Sequence, residues 1–170
     1  MIKTKRGQEV FGMSYGVIFS IILIIAIIGI GFFVIQHFLE LSQCTEIGNF
    51  YKSVQEKVDE CWNSGICKDD LKEFEYKLPS KIKNVCFGSI DLPANSVDSP
   101  IKIKIEDYAF ETSENLFLYP PEAACDGNLY SLDLKHSLIG GFFCVSTSDL
   151  EKIKLNKEVN DSVVRIVRKL

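Results

Sequence analysis

The sequence predicts an α+β protein: a long N-terminal helix, transmembrane in its first half and amphipathic in its second, packed on an antiparallel β-meander head. Three observations lead there. Residues 10–39 carry no charged side chain, and 17–35 are a near-continuous run of Ile, Val, Leu, Phe, Ala and Gly. Beyond Glu40 an apolar stripe continues at helical spacing as far as Cys61. After that, short segments alternate apolar and polar residues with a period of two.

The apolar run sets the topology. At about 1.5 Å per residue, 17–35 make a helix of roughly 29 Å, enough to cross the hydrocarbon core of a bilayer. A secretory signal has a shorter apolar region followed by small residues at its cleavage site. Here Gln36-His37-Phe38-Leu39-Glu40 follows instead, so the span is expected to stay uncleaved by signal peptidase. His37 and Phe38 suit the lipid–water interface. Lys3, Lys5 and Arg6 against Glu9 leave the tail, residues 1–9, at +2. The rest of the chain, with 16 basic and 22 acidic residues, stands at −6. Basic residues beside a span stay on the cytoplasmic side, which puts 1–9 inside, 10–39 across the membrane and 40–170 outside. An acidic exported domain is a poor partner for nucleic acid, and the lipid bilayer is the partner the sequence names most clearly.

Residues 40–65 are expected to continue the helix. Cys44, Ile47, Tyr51, Val54, Val58 and Cys61 recur at steps of three and four and form one stripe. Glu46, Lys52, Glu56, Lys57 and Glu60 occupy the other side. Asn63-Ser64-Gly65 is a stop signal, with Gly65 suited to a left-handed cap and Trp62 packing where the helix ends.

Residues 66–170 read as the β-rich head. Turn signals fall at Asp69-Asp70, Leu92-Pro93-Ala94-Asn95, Asp98-Ser99-Pro100, Pro120-Pro121 and Asp126-Gly127-Asn128. Between them, strands are expected at Phe74/Tyr76/Leu78, at Ile101/Ile103/Ile105 with Lys102 and Lys104 solvated, and at 116–119. Further strands are expected at Leu132/Leu134, at 141–145 with both faces apolar, at Ile153/Leu155 and at 163–167.

All six cysteines follow the span: Cys44, Cys61, Cys67, Cys86, Cys125 and Cys144. An even number confined to the exported part suits disulfides in an oxidising compartment. Six cysteines allow fifteen pairings. One is excluded, because Cys44 and Cys61 on one helix stand roughly 25 Å apart. Cys61–Cys67, Cys125–Cys144 and Cys44–Cys86 are the expected bridges. Without a C-x-x-C pair, and with His136 as the domain's one histidine, no metal is expected, nor any cofactor.

The tail carries one more signal. Lys5-Arg6-Gly7-Gln8, followed at once by a long apolar helix that turns amphipathic, resembles archaeal type IV pilins and pilin-like proteins. The tail, anchor and β-head layout is also similar to that of single-pass membrane-anchored surface proteins. The pilin resemblance implies cleavage by a membrane peptidase after Gly7, with Gln8 as the first mature residue. It also implies a retained helix that serves as anchor and as filament core. Pilins carry a Glu a few positions into the apolar run; here Glu9 follows Gln8 directly, and Gly12 or Met13 stands at the later position. Gly12, Gly16 and Ser20, at a spacing of four, would let two such helices approach closely in lipid, making the chain a partner for itself.

Other strings carry less. Gly12-Met13-Ser14-Tyr15-Gly16 spells a nucleophile elbow but lies within the helix, without the strand that motif requires. Gly29-Ile30-Gly31 lacks the strand and the third glycine of a dinucleotide loop. His136 and Ser137, as neighbours on a strand, would point to opposite faces. Asp69, Asp70, Asp149 and Glu151 read as turn and cap acids. Asn160-Asp161-Ser162 matches a glycosylation acceptor. The expected function is that of a membrane-anchored surface protein with a structural or adhesive role, as a pilin-like filament subunit. The alternative is a monomeric membrane-tethered binding module or an accessory subunit of a membrane complex. An ecto-enzyme comes third, since neither a catalytic constellation nor a small-molecule substrate is evident.

Overall fold

The computed structural model describes residues 8–70, 78–108 and 113–169. The chain forms two compact units, Met1–Leu41 and Ser42–Leu170. Helix α1, Gln8–Asn63, is 56 residues long and contributes to both. This is the α+β architecture that the periodicity predicts, with a largely antiparallel β head.

Within the second unit the head holds two four-stranded sheets rather than one meander. The first is ordered β1 (Cys67–Asp70), β7 (Ile153–Lys157), β8 (Val164–Arg168), β5 (Ser137–Leu138). Its β5–β8 pair is parallel and the others antiparallel. The second, wholly antiparallel, is ordered β4 (Ser131–Leu132), β3 (Leu116–Tyr119), β2 (Asn84–Phe87), β6 (Phe143–Ser146).

Both sheets bury one face against the amphipathic part of α1. Ile47, Phe50, Tyr51, Val54, Val58 and Cys61 pack with Val85, Phe87, Leu116, Leu118 and Val145 of one sheet and Ile153, Leu155, Val164 and Ile166 of the other. Side chains of this size each contribute about 1.5–3 kcal/mol on burial, so this stripe is the main reason the helix holds its place in the head. The alternation of the second sheet sends its remaining side chains to the other face. There Cys86, Phe117, Phe142 and Cys144 form a second cluster with Ile105. Runs such as Leu116-Phe117-Leu118 are therefore apolar throughout, because both faces of that sheet are covered.

The cover on the second face is helix α2, Ser99–Glu106. This corrects the expected strand at Ile101/Ile103/Ile105. Pro100 sits in the first turn, where a helix tolerates proline. Ile101 and Ile105 stand one helical turn apart and both face the cluster, whereas Ile103 is 55% exposed. Lys102 and Lys104 lie on this helix, not on a strand; Lys102 pairs with Glu106 at 2.9 Å and Lys104 lies over the Tyr119 ring. Asp69 and Asp70 also differ from expectation. They belong to β1, opposite Leu155 and Lys154. The expected strand through Phe74 and Tyr76 lies outside the described residues.

Candidate functional site

Residues 15–41 are the feature whose chemistry most demands a partner. Nineteen large apolar side chains from Tyr15 to Leu41 are exposed. At about 1.5–3 kcal/mol each, leaving them in water forfeits tens of kcal/mol. The net stability of a domain is only about 5–15 kcal/mol, so this surface requires lipid or other apolar helices around it. Among the described residues, α1 is the one helix long and apolar enough to cross a membrane by length and composition. Such a helix suits membrane anchoring.

Of the residues expected to act here, Gly7 lies outside the described residues. Gln8 opens α1 and Gly12 lies within it. At Gly16 an added Cβ would meet open space, and Ser20 Oγ donates to the Gly16 carbonyl at 2.9 Å. The hydroxyl is thus satisfied inside its own helix, which makes Ser20 compatible with an apolar surround. Gly12 to Gly16 are helical, so the G-x-S-x-G string forms no strand-to-helix elbow.

In the second unit, all six candidate cysteines are bridged, as Cys44–Cys125, Cys61–Cys67 and Cys86–Cys144. The short Cys61–Cys67 bridge is as expected. The other two exchange partners relative to expectation. Cys86 and Cys144 face each other in register on β2 and β6, with Cα atoms 4.0 Å apart, which leaves Cys44 to reach Cys125. That bridge fastens α1, three residues beyond Leu41, to the turn after Pro121–Ala123, where Cys125, Asp126 and Gly127 all have positive φ. Three bridges fit an oxidising compartment.

Polar groups fix the helix at three further points. Tyr51 Oη donates to the Leu129 carbonyl at 2.8 Å, and burial, with Glu114 and Tyr130 adding to it, holds its phenol well above the usual tyrosine range. Gln55 exchanges hydrogen bonds with the backbone of Lys135. At the C-terminal end Lys157 Nζ donates to the carbonyls of Trp62 and Ser64, both at 2.7 Å. Gly65 does not take the expected left-handed conformation. The orphan carbonyls are met instead by Lys157 and by the hydroxyl of Ser64, which donates to Cys61. Sequence reasoning missed Lys157. Its signal was present: it shares the inward phase of β7 with Ile153 and Leu155, where a lysine is buried only with partners.

Trp62 packs at the helix end as expected. Its indole stacks on His136 with centroids 3.9 Å apart, and its Nε1 donates to the Ser162 carbonyl. His136 is exposed. The Ser137 hydroxyl donates to the Leu134 carbonyl, accepts from Asn115, and is not directed to His136. Asp149, paired with Lys152 at 2.6 Å, has its carboxyl held below the usual range chiefly by that hydrogen bond. Comparison of the chain with protein-family models, with curated proteins and with solved structures gives no match.

Proposed function

We propose that this is a single-pass membrane protein whose first unit anchors it in the bilayer and whose disulfide-bridged head is displayed outside the cell. Its role is structural or adhesive, as a pilin-like subunit. The observation that carries the proposal is the full-circumference exposure of apolar side chains along Tyr15–Leu41, a surface that only lipid or sister helices can solvate. The orientation rests on the basic residues Lys3, Lys5 and Arg6 before the span and on the bridging of every cysteine after it. The pilin-like role rests on Lys5-Arg6-Gly7-Gln8 directly preceding the apolar helix.

The test is fractionation and N-terminal sequencing of the native protein. Release should require detergent, and protease added to intact cells should digest the head. A mature chain beginning at Gln8 supports pilin-type processing and assembly. An intact tail with the same membrane behaviour replaces the filament subunit by a monomeric tether. Recovery of the native full-length chain in the soluble fraction without detergent overturns the anchor itself.

A further inference from the structure

We propose that Asn160 is an N-glycosylation site, an inference that rests on the outward topology proposed above. The sequence has one Asn-x-Ser/Thr triplet, Asn160-Asp161-Ser162. The fold puts it at the tip of the connection between β7 and β8. The Asp161 amide donates to the Glu158 carbonyl at 2.9 Å, closing a four-residue turn with Asn160 at its third position. Asn160 is exposed, so a bulky polar group there displaces no packing. Ser162, whose hydroxyl is the second element of the acceptor, is exposed as well.

The middle residue has the chemistry that would weaken an acceptor, a carboxylate beside the reacting amide. Here that charge is engaged elsewhere. Asp161 Oδ1 accepts from Arg165 at 3.2 Å and Oδ2 accepts from the Glu158 amide at 3.2 Å. The carboxylate is turned along the turn and paired with Arg165, leaving the two acceptor side chains to solvent. A second observation comes from the neighbouring surface. Val159, in the same turn, is 69% exposed and Ile66 is 63% exposed. Ile66 directly precedes Cys67, which pairs with Lys157, so it stands at the same end of the sheet as the turn. Trp62, hydrogen-bonded to Ser162, is also partly exposed there. A glycan on Asn160 would shield this apolar group from water.

The reaction is a group transfer from a lipid-linked oligosaccharide phosphate, catalysed by a membrane transferase. The bond between the sugar's anomeric carbon and the phosphate oxygen breaks, and a bond from that carbon to Asn160 Nδ2 forms. The phosphate leaves on its lipid with the bonding electrons, and one amide proton passes through the transferase's base to solvent.

The test is intact-mass analysis and peptide mapping of the full-length protein expressed in its native host, with protease accessibility on intact cells measured in parallel. The expected result is a mass excess carried by the Asn160 peptide, abolished in Asn160→Gln and Ser162→Ala and retained in Ser162→Thr. Unmodified Asn160 in a head that protease reaches overturns the glycosylation and leaves the topology standing. Unmodified Asn160 in a head that protease does not reach overturns both. A glycan that persists in Ser162→Ala overturns the triplet as its determinant.

Discussion

Lys157, on β7, donates to the carbonyl oxygen of Trp62 at 2.7 Å and so brings to the end of α1 the positive charge that the helix's own last turn lacks. The same ammonium reaches Ser64, also at 2.7 Å, and is buried. Hydrogen bonds to a charged group contribute about 1.5–3 kcal/mol, and a cation at a helix C-terminus adds to that. Lys157→Met keeps the apolar stem and removes the charge. It should cost about 2 kcal/mol, read as a lower urea midpoint of the detergent-solubilised full chain. An unchanged midpoint would mean that water meets those carbonyls equally well.

The three bridges should differ in worth. In the chain-entropy account a bridge stabilises more when it closes a longer loop. Cys44–Cys125 spans 81 residues and Cys61–Cys67 only 6. Replacing the first pair by serine should cost about 4–5 kcal/mol, and the second about 2 kcal/mol. Non-reducing peptide maps should return the same pairing, and equal losses from the two double variants would contradict the entropic ranking.

The two misassigned bridges also show why the sequence was only partly legible. The stripe from Cys44 to Cys61 was readable because helical neighbours are fixed by local spacing. The strands at 116–119, 143–146, 153–157 and 164–168 were readable because apolar side chains cluster there. Cys86 on β2 meets Cys144 on β6 only through a long-range register, and Asn84-Val85-Cys86-Phe87 is too short to declare itself a strand. Strand β1, Cys-Lys-Asp-Asp, has a loop's composition and is a strand only because β7 pairs with it. Ile101, Ile103 and Ile105 mislead for another reason. Three residues spaced by two satisfy a strand's alternation, yet the outer two also satisfy a helical turn, and only the face of Phe117 and Phe142 decides between them. The candidate site divides the same way. The exposed span is visible in composition, whereas the tethers from Lys157, Gln55 and Tyr51 are products of tertiary packing.

Gly88 is the glycine on which the packing of the second sheet depends. Its φ is +113°, and an added Cβ would come within 2.6 Å of the Gly141 carbonyl oxygen, a backbone atom that cannot step aside. Gly88→Ala should destabilise by about 2–4 kcal/mol through strain and steric overlap together. Gly65→Ala is the matched control, since its Cβ would meet open space at an ordinary φ, and it should stay within about 0.5 kcal/mol. Similar urea midpoints for the two variants would remove the special role of Gly88.

Tyr51 supplies a pH dependence with a definite sign. Its phenol is buried beside Glu114 and Tyr130 and donates to the Leu129 carbonyl, so the folded protein holds the proton well above the usual range. The unfolded chain releases it near pH 10. Above that pH the unfolded state binds fewer protons than the folded one, so stability falls as pH rises. The contribution is fully present below about pH 10 and is lost progressively above it. Tyr51→Phe removes the titrating group and the hydrogen bond together, leaving the Leu129 carbonyl without that donor. It should cost about 1 kcal/mol at neutral pH. The urea midpoint of the wild type should then decline more steeply than that of the variant between about pH 9 and pH 11. Because the two proteins differ only at this side chain, the difference between the two curves isolates Tyr51. Parallel curves would show that the phenol gains access to water before the fold is lost.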